Sequence, residues 1–129
     1  MITADQLVAH AIGDYILQSN WMAQNKTRRS FPALCHVVTY AIPFLLLRPS
    51  LLALIVIVAS HFVIDRWRLA RYVVFAKNRL APKDEWATWL FSSDTGYARD
   101  SAAWMAVWLM IIADNIMHVL INGLALKFL

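Results

Sequence analysis

Residues 102–126 read AAWMAVWLMIIADNIMHVLINGLAL, 25 residues whose one formal charge is Asp114. At 1.5 Å per residue, a helix of that length outreaches a bilayer core of about 30 Å. Two further runs follow the same pattern. Phe31 to Leu47 is 17 residues without a charge, closed by Arg48-Pro49. Leu51 to Ile64 is apolar and then meets Asp65 and Arg66. A span there requires the helix to continue through Trp67, with Arg66 and Arg68 snorkelling to the interface. The first segment, Thr3 to Gln24, mixes Leu7, Val8, Ala9, Ala11, Ile12, Ile16 and Leu17 with His10, Asp14 and Gln18. Its polar residues share one stripe, which predicts a span with a polar inner face rather than a helix lying in the interface. A basic n-region and a small-residue cleavage site are both missing around it, which argues against a signal peptide.

The composition agrees. Of 129 residues, 60% are hydrophobic and 16% charged, against roughly 45–50% and about 25% in soluble domains. Mean hydropathy is +0.54. A single small domain, 1–129, has too little interior to hide that much apolar surface from water. The single Cys35 excludes an internal disulfide framework and a Cys-based zinc cluster. The net charge of +4 is a matter of placement. Lys26, Arg28 and Arg29 lie between segments one and two, and Arg66, Arg68, Arg71, Lys77, Arg79, Lys83 and Arg99 lie between three and four. Only Arg48 and Lys127 fall on the other side of four alternating crossings. The positive-inside rule makes the basic face cytoplasmic and puts both termini outside, as in a multi-pass protein of a bacterial inner membrane. No basic helix or aromatic stacking module accompanies the charges, so nucleic acid is not an expected partner. The long connection carrying Trp86, Trp89, Phe91 and Tyr97 predicts a short amphipathic helix on the cytoplasmic leaflet. No feature bears on oligomeric state.

Each of the four histidines sits in a different apolar segment. Three are paired with an aspartate four residues away: His10 with Asp14, His61 with Asp65, and Asp114 with His118. That spacing stacks both side chains on one helix face. Gln18 and Asn122 extend two of the stripes, and His36 with Tyr40 forms a third. A charged aspartate at mid-bilayer costs about 2.5–3.5 kcal/mol, so three would cost roughly 7–10 kcal/mol unless they face inward and find partners. Bundles build metal sites from facing helices in this way, and imidazole with carboxylate suits Zn²⁺, Mn²⁺ or Fe²⁺. The candidate ligands are His10, Asp14, His36, His61, Asp65, Asp114 and His118, supported by Gln18, Tyr40 and Asn122. A polar network or proton path is the alternative use of the same residues.

Those residues also carry a resemblance. Ala9-His10-Ala11-Ile12-Gly13-Asp14-Tyr15-Ile16-Leu17-Gln18, Trp21-Met22-Ala23-Gln24-Asn25-Lys26, Cys35-His36, Ser60-His61-Phe62-Val63-Ile64-Asp65 and Ala113-Asp114-Asn115-Ile116-Met117-His118 resemble the domain of unknown function 3307 family, small bacterial and phage membrane proteins. Asn115 stands where members more often have Gln. The resemblance implies an integral membrane protein with these His and Asp positions as its signature and supplies no activity. A looser similarity to membrane-embedded metal-dependent hydrolases is analogy only.

The expected fold is therefore an all-α polytopic membrane four-helix bundle, with a short interfacial helix between helices three and four. The expected function is a membrane-embedded metal-binding protein, read as a hydrolase of a lipid-linked or amphipathic substrate. It would use a divalent metal, Zn or Mn, with Asp14, Asp65 and Asp114 as oxygen ligands or general base. An ion or proton pathway in a transporter, or a non-catalytic phage or envelope membrane protein, are the alternatives. The charge asymmetry makes one direct prediction: a cysteine introduced beside Arg28 will be labelled from the cytoplasmic side, and labelling from the periplasmic side would reverse the orientation.

Overall fold

The computed structural model describes residues 2–129, and among these the fold is all-α with no strand. Seven α-helices follow one another: α1 (Ala4–Ala11), α2 (Asn20–Asn25), α3 (Ser30–Leu45), α4 (Leu51–Trp67), α5 (Ala70–Lys77), α6 (Trp89–Ser92) and α7 (Ala103–Phe128). A π-helical turn, Ile12–Ile16, continues α1. The chain divides into two compact units. One runs up to Trp67 and takes in His118–Leu129; the other is Arg68–Met117.

In the first unit, local chemistry sets the helix ends. The Thr3 side chain accepts from the Gln6 backbone N–H at 3.2 Å and caps α1. Ser19 caps α2 in the same way, through the Met22 N–H at 3.3 Å. At the other end of α3, Pro43 leaves the helix short of one backbone donor. Arg48 then turns the chain at φ 51°, a left-handed conformation uncommon outside glycine. Ser50 Oγ accepts from the Ala53 N–H at 3.0 Å and starts α4. So short a turn makes α3 and α4 antiparallel neighbours. The apolar core is small: Ala9, Tyr40, Phe44, Ala53, Ile57 and Ala125, flanked by Leu47, Val56 and Leu126. Gln6 ties α1 to the end of α7 by donating to the Val119 carbonyl at 2.6 Å.

The expected first helix, Thr3 to Gln24, is interrupted. After Ala11 the backbone widens into the π turn, closed by Leu17 N–H to Ile12 C=O at 3.0 Å, and it leaves helical geometry before α2 begins at Asn20. Gln18 lies in that break, so the stripe stops at Asp14. Gly13 accounts for the close packing there. A Cβ on Gly13 would lie 2.6 Å from Tyr40 Cδ2 and 3.0 Å from the Tyr40 carbonyl oxygen, so only glycine lets the turn press against α3. The third segment does run through Trp67 as expected. Among the described residues, only α7, at 26 residues, is long and apolar enough to cross a membrane. The 16 residues of α3 and 17 of α4 are shorter, so length alone supports one span rather than four.

The second unit is organised by aromatic rings and loop carbonyls. Tyr72 of α5 stacks on Trp89 with centroids 4.7 Å apart, and Phe75 meets the same indole edge-on. Arg71 Nη1 donates to the Ser93 carbonyl at 3.1 Å, and Asn78 Nδ2 to the Gly96 carbonyl at 2.9 Å. The interfacial helix expected here is a single turn, α6, and Trp86 lies outside it.

Gly13 gives a test by sign. On an open helix face, Gly to Ala stabilises by about 0.5–1 kcal/mol. Against Tyr40, overpacking of about 1–3 kcal/mol dominates. Gly13→Ala is therefore expected to lower the thermal midpoint in detergent; an increase would show that the turn does not pack on α3.

Candidate metal centre

Four side chains converge beside the apolar core. Asp14 comes from the π turn, His36 from the second turn of α3, and His61 and Asp65 from successive turns of α4; all four are buried. His36 Nε2 lies 2.9 Å from His61 Nε2. It is 3.1 Å from Asp14 Oδ1 and 3.1 Å from Asp65 Oδ2. His61 Nε2 lies 3.4 Å from Asp14 Oδ1 and 3.1 Å from Asp65 Oδ2. Five of the six edges of a small tetrahedron are thus 2.9–3.4 Å long, and the four ligand atoms all lie within 4.8 Å of one another. A regular tetrahedron with edges near 3.1 Å has its corners about 1.9 Å from the centre, close to the roughly 2.0–2.2 Å of zinc–imidazole and zinc–carboxylate bonds. Two nitrogens and two carboxylate oxygens form a donor set that Zn²⁺ or Mn²⁺ accepts. The buried His/Asp group could thus hold a metal ion.

The surrounding residues orient these donors. The His61 ring lies between Tyr40, at a centroid distance of 3.7 Å, and His118, at 4.0 Å, both nearly parallel to it. That sandwich fixes the imidazole plane and so the direction of Nε2. The Tyr40 hydroxyl accepts from Asn122 Nδ2 at 2.6 Å and shares a hydrogen bond with His10 Nδ1 at 2.9 Å. His10 Nε2 faces the other oxygen of Asp14 at 3.7 Å, and His118 Nε2 faces the other oxygen of Asp65 at 3.6 Å. Both distances exceed hydrogen-bond reach, so His10 and His118 stand behind the carboxylates rather than among the four converging atoms.

The expected site residues are therefore partly drawn together. Asp14, His36, His61 and Asp65 meet; His10, His118, Tyr40 and Asn122 surround them. Gln18 lies in the break after the π turn, with its Oε1 buried. Asp114 precedes His118 by one turn of α7 and is half-buried; it belongs to the second unit.

The residue that sequence reasoning missed is Lys26. Its ammonium lies 2.8 Å from Asp65 Oδ2 and 3.2 Å from His36 Nε2, with its side chain 15% exposed. It gave a topology signal and closed the Trp21–Lys26 stretch of the family resemblance, but neither assigned it to the site, because no helical spacing relates it to the histidines across the break after Ile16. Arg66 holds this loop: Nη1 donates to the Thr27 carbonyl at 2.8 Å and Nε to Ser30 Oγ at 3.4 Å.

Tyr40→Phe separates the ring from the hydroxyl. It keeps the stack on His61 but leaves Asn122 and His10 without a shared partner, at a cost of about 1–3 kcal/mol for buried polar groups. Chemical denaturation is expected to show that loss while bound metal is retained; unchanged stability would remove the hydroxyl from the network.

Residues 2–128 match the model of the family described as "Protein of unknown function (DUF3307)", and the chain belongs to that family. No curated protein and no solved structure matches the chain.

Proposed function

We propose that this member of the family of unknown function is a metal-dependent hydrolase that works within a bacterial inner membrane on a lipid-linked or amphipathic substrate. The observation that carries the reading is the convergence of Asp14 Oδ1, His36 Nε2, His61 Nε2 and Asp65 Oδ2. Two carboxylates and two imidazoles are costly to bury together, and a divalent cation among them would offset that cost. When bound, Zn²⁺ or Mn²⁺ would lower the pKa of a bound water and polarise the scissile group. Asp14 and Asp65 would share ligation and proton acceptance. His10 and His118 would hold the carboxylates, and Tyr40 and His118 the ring of His61.

Support for the membrane comes from which residues are exposed. Along α3 the outward stripe is Phe31, Leu34, Val38, Ile42 and Leu45, with Phe31 69% exposed. The inward stripe holds His36 and Tyr40, both fully buried. Beside them Ala33, Val37 and Phe44 are buried too, so α3 carries apolar residues on both faces, and an exposed apolar stripe of that extent fits acyl chains. At 1.5 Å per residue, α7 reaches about 39 Å, whereas α3 and α4 reach about 24–26 Å and would need local thinning of the bilayer.

One observation favours a proton pathway as the second reading. His10, Tyr40 and Asn122 form a hydrogen-bonded line beside the four donors, and its His10 end faces Asp14 at 3.7 Å. Tyr40→Phe would interrupt such a line while leaving hydrolysis chemistry in place.

Metal analysis tests the main reading. Purified wild type is expected to carry a divalent metal, and His61→Ala and Asp65→Asn to lose it. Chelation should lower the thermal midpoint, with recovery on adding Zn²⁺ or Mn²⁺, because ligands from separate helices bind well only when assembled. Wild type without metal and insensitive to chelators would end the hydrolase reading.

A further inference from the structure

We propose that Lys26 is the anion-receiving group of this site, and that the substrate meets it with a phosphate. The inference rests on the metal reading above and narrows it to a substrate class. An ammonium has three donors and no lone pair, so Lys26 is not itself a metal ligand. Yet it sits on the edge between two of the four donor atoms, 2.8 Å from Asp65 Oδ2 and 3.2 Å from His36 Nε2.

Its position is built. Lys26 closes α2 with its N–H on the Met22 carbonyl at 2.8 Å, and Arg66 grips the next residue through the Thr27 carbonyl. Arg66 directly follows Asp65 on α4, so the residue that orders the loop is bonded to the one that receives the ammonium. Lys26 is half-buried, and Arg28 and Arg29 beyond it are exposed. An anion arriving along this loop meets positive charge before it meets either carboxylate.

Charge balance points to the occupant. With neutral imidazoles, a divalent ion and the Asp14 and Asp65 carboxylates sum to zero, and Lys26 adds one positive charge. A neutral ester or amide leaves that charge unmatched. A phosphate monoester, with about −1.5 to −2 charge near neutral pH, more than offsets it and offers several oxygens, one for a metal and another for the ammonium, which binds phosphate as a point charge. The implied reaction is hydrolysis of a phosphate monoester. Water oxygen forms the new bond to phosphorus and the ester P–O bond breaks. One water proton ends on the leaving alcohol and the other stays on the released phosphate.

Mn²⁺ binding to the full chain in detergent micelles, followed by electron paramagnetic resonance, tests this. In wild type, inorganic phosphate is expected to tighten Mn²⁺ binding about tenfold, because coupled sites strengthen one another reciprocally. Lys26→Met should bind Mn²⁺ at least as tightly, with a competing positive charge gone, and should lose the phosphate effect; Lys26→Arg should keep it. In wild type, Mn²⁺ with phosphate should also protect Lys26 from an amine-acylating reagent, read by peptide mass spectrometry, which needs no variant to fold. Phosphatidic acid effective at far lower concentration than inorganic phosphate would assign the phosphate to a lipid headgroup; equal potency would assign it to a soluble ester. Acetate replacing phosphate equally well, a phosphate effect that survives Lys26→Met, or unprotected Lys26 would each overturn the inference while leaving metal binding intact. Wild type that binds no Mn²⁺ would remove the metal reading and this inference together.

Discussion

Two carboxylates held close in a protein interior need positive charge or hydrogen-bond donors around them, and the first unit is arranged to supply both. Asp14 and Asp65 come from different elements, yet each has an oxygen within 3.1 Å of His36 Nε2. Bringing them together takes the Gly13 contact with Tyr40, the α3–α4 turn and the stacked rings around His61. Removing one partner from such a group leaves an uncompensated buried charge, which costs more than the partner's own interaction contributes. The polar residues thus decide how closely the helices approach, a task that side-chain volume performs in most bundles.

Much of this was legible in the sequence where the helix repeat could be used. His61 and Asp65, four residues apart on an uninterrupted helix, meet at 3.1 Å. His36, alone in its segment, could be singled out only by its rarity. Whether His10 and His118 would join the ligand set or stand behind it depended on distances between helices, which periodicity within a helix does not encode. For Gln18 the 3.6-residue repeat does not hold, because the π turn and the break after it separate Gln18 from Asp14. Lys26 was not assigned to the site for a related reason: its neighbours are near in space and separated by a chain break in the helical pattern. Helix existence was read more reliably than helix length, as α4 ending at Trp67 and the broken first segment illustrate together.

The exposure pattern and the polar cluster are two aspects of one constraint. A chain with 60% hydrophobic residues that buries its four histidines with Asp14 and Asp65 leaves many of its leucines, valines and isoleucines exposed. The small core of Tyr40, Phe44 and Ile57 therefore carries less of the packing than in a water-soluble bundle of similar size. More of the cohesion falls to directional contacts such as Asn122 to Tyr40 and Gln6 to Val119. Directional contacts tolerate little displacement, so the bundle gains specificity of arrangement where it lacks interior volume.

The π turn at Ile12–Ile16 has a consequence for how this chain can vary in length. A π turn holds one residue more than an α turn of the same rise. Deleting a residue within it would let the helix relax to regular geometry, but the wider α step of about 100° per residue would offset only part of the loss, so Asp14 would turn by a few tens of degrees and shift along the axis. His10 would keep its bearing on Tyr40, while the carboxylate would leave His36. The stretch between His10 and Asp14 is therefore fixed in length more strictly than in residue type, and a one-residue deletion there would do more harm than most substitutions in the same turn.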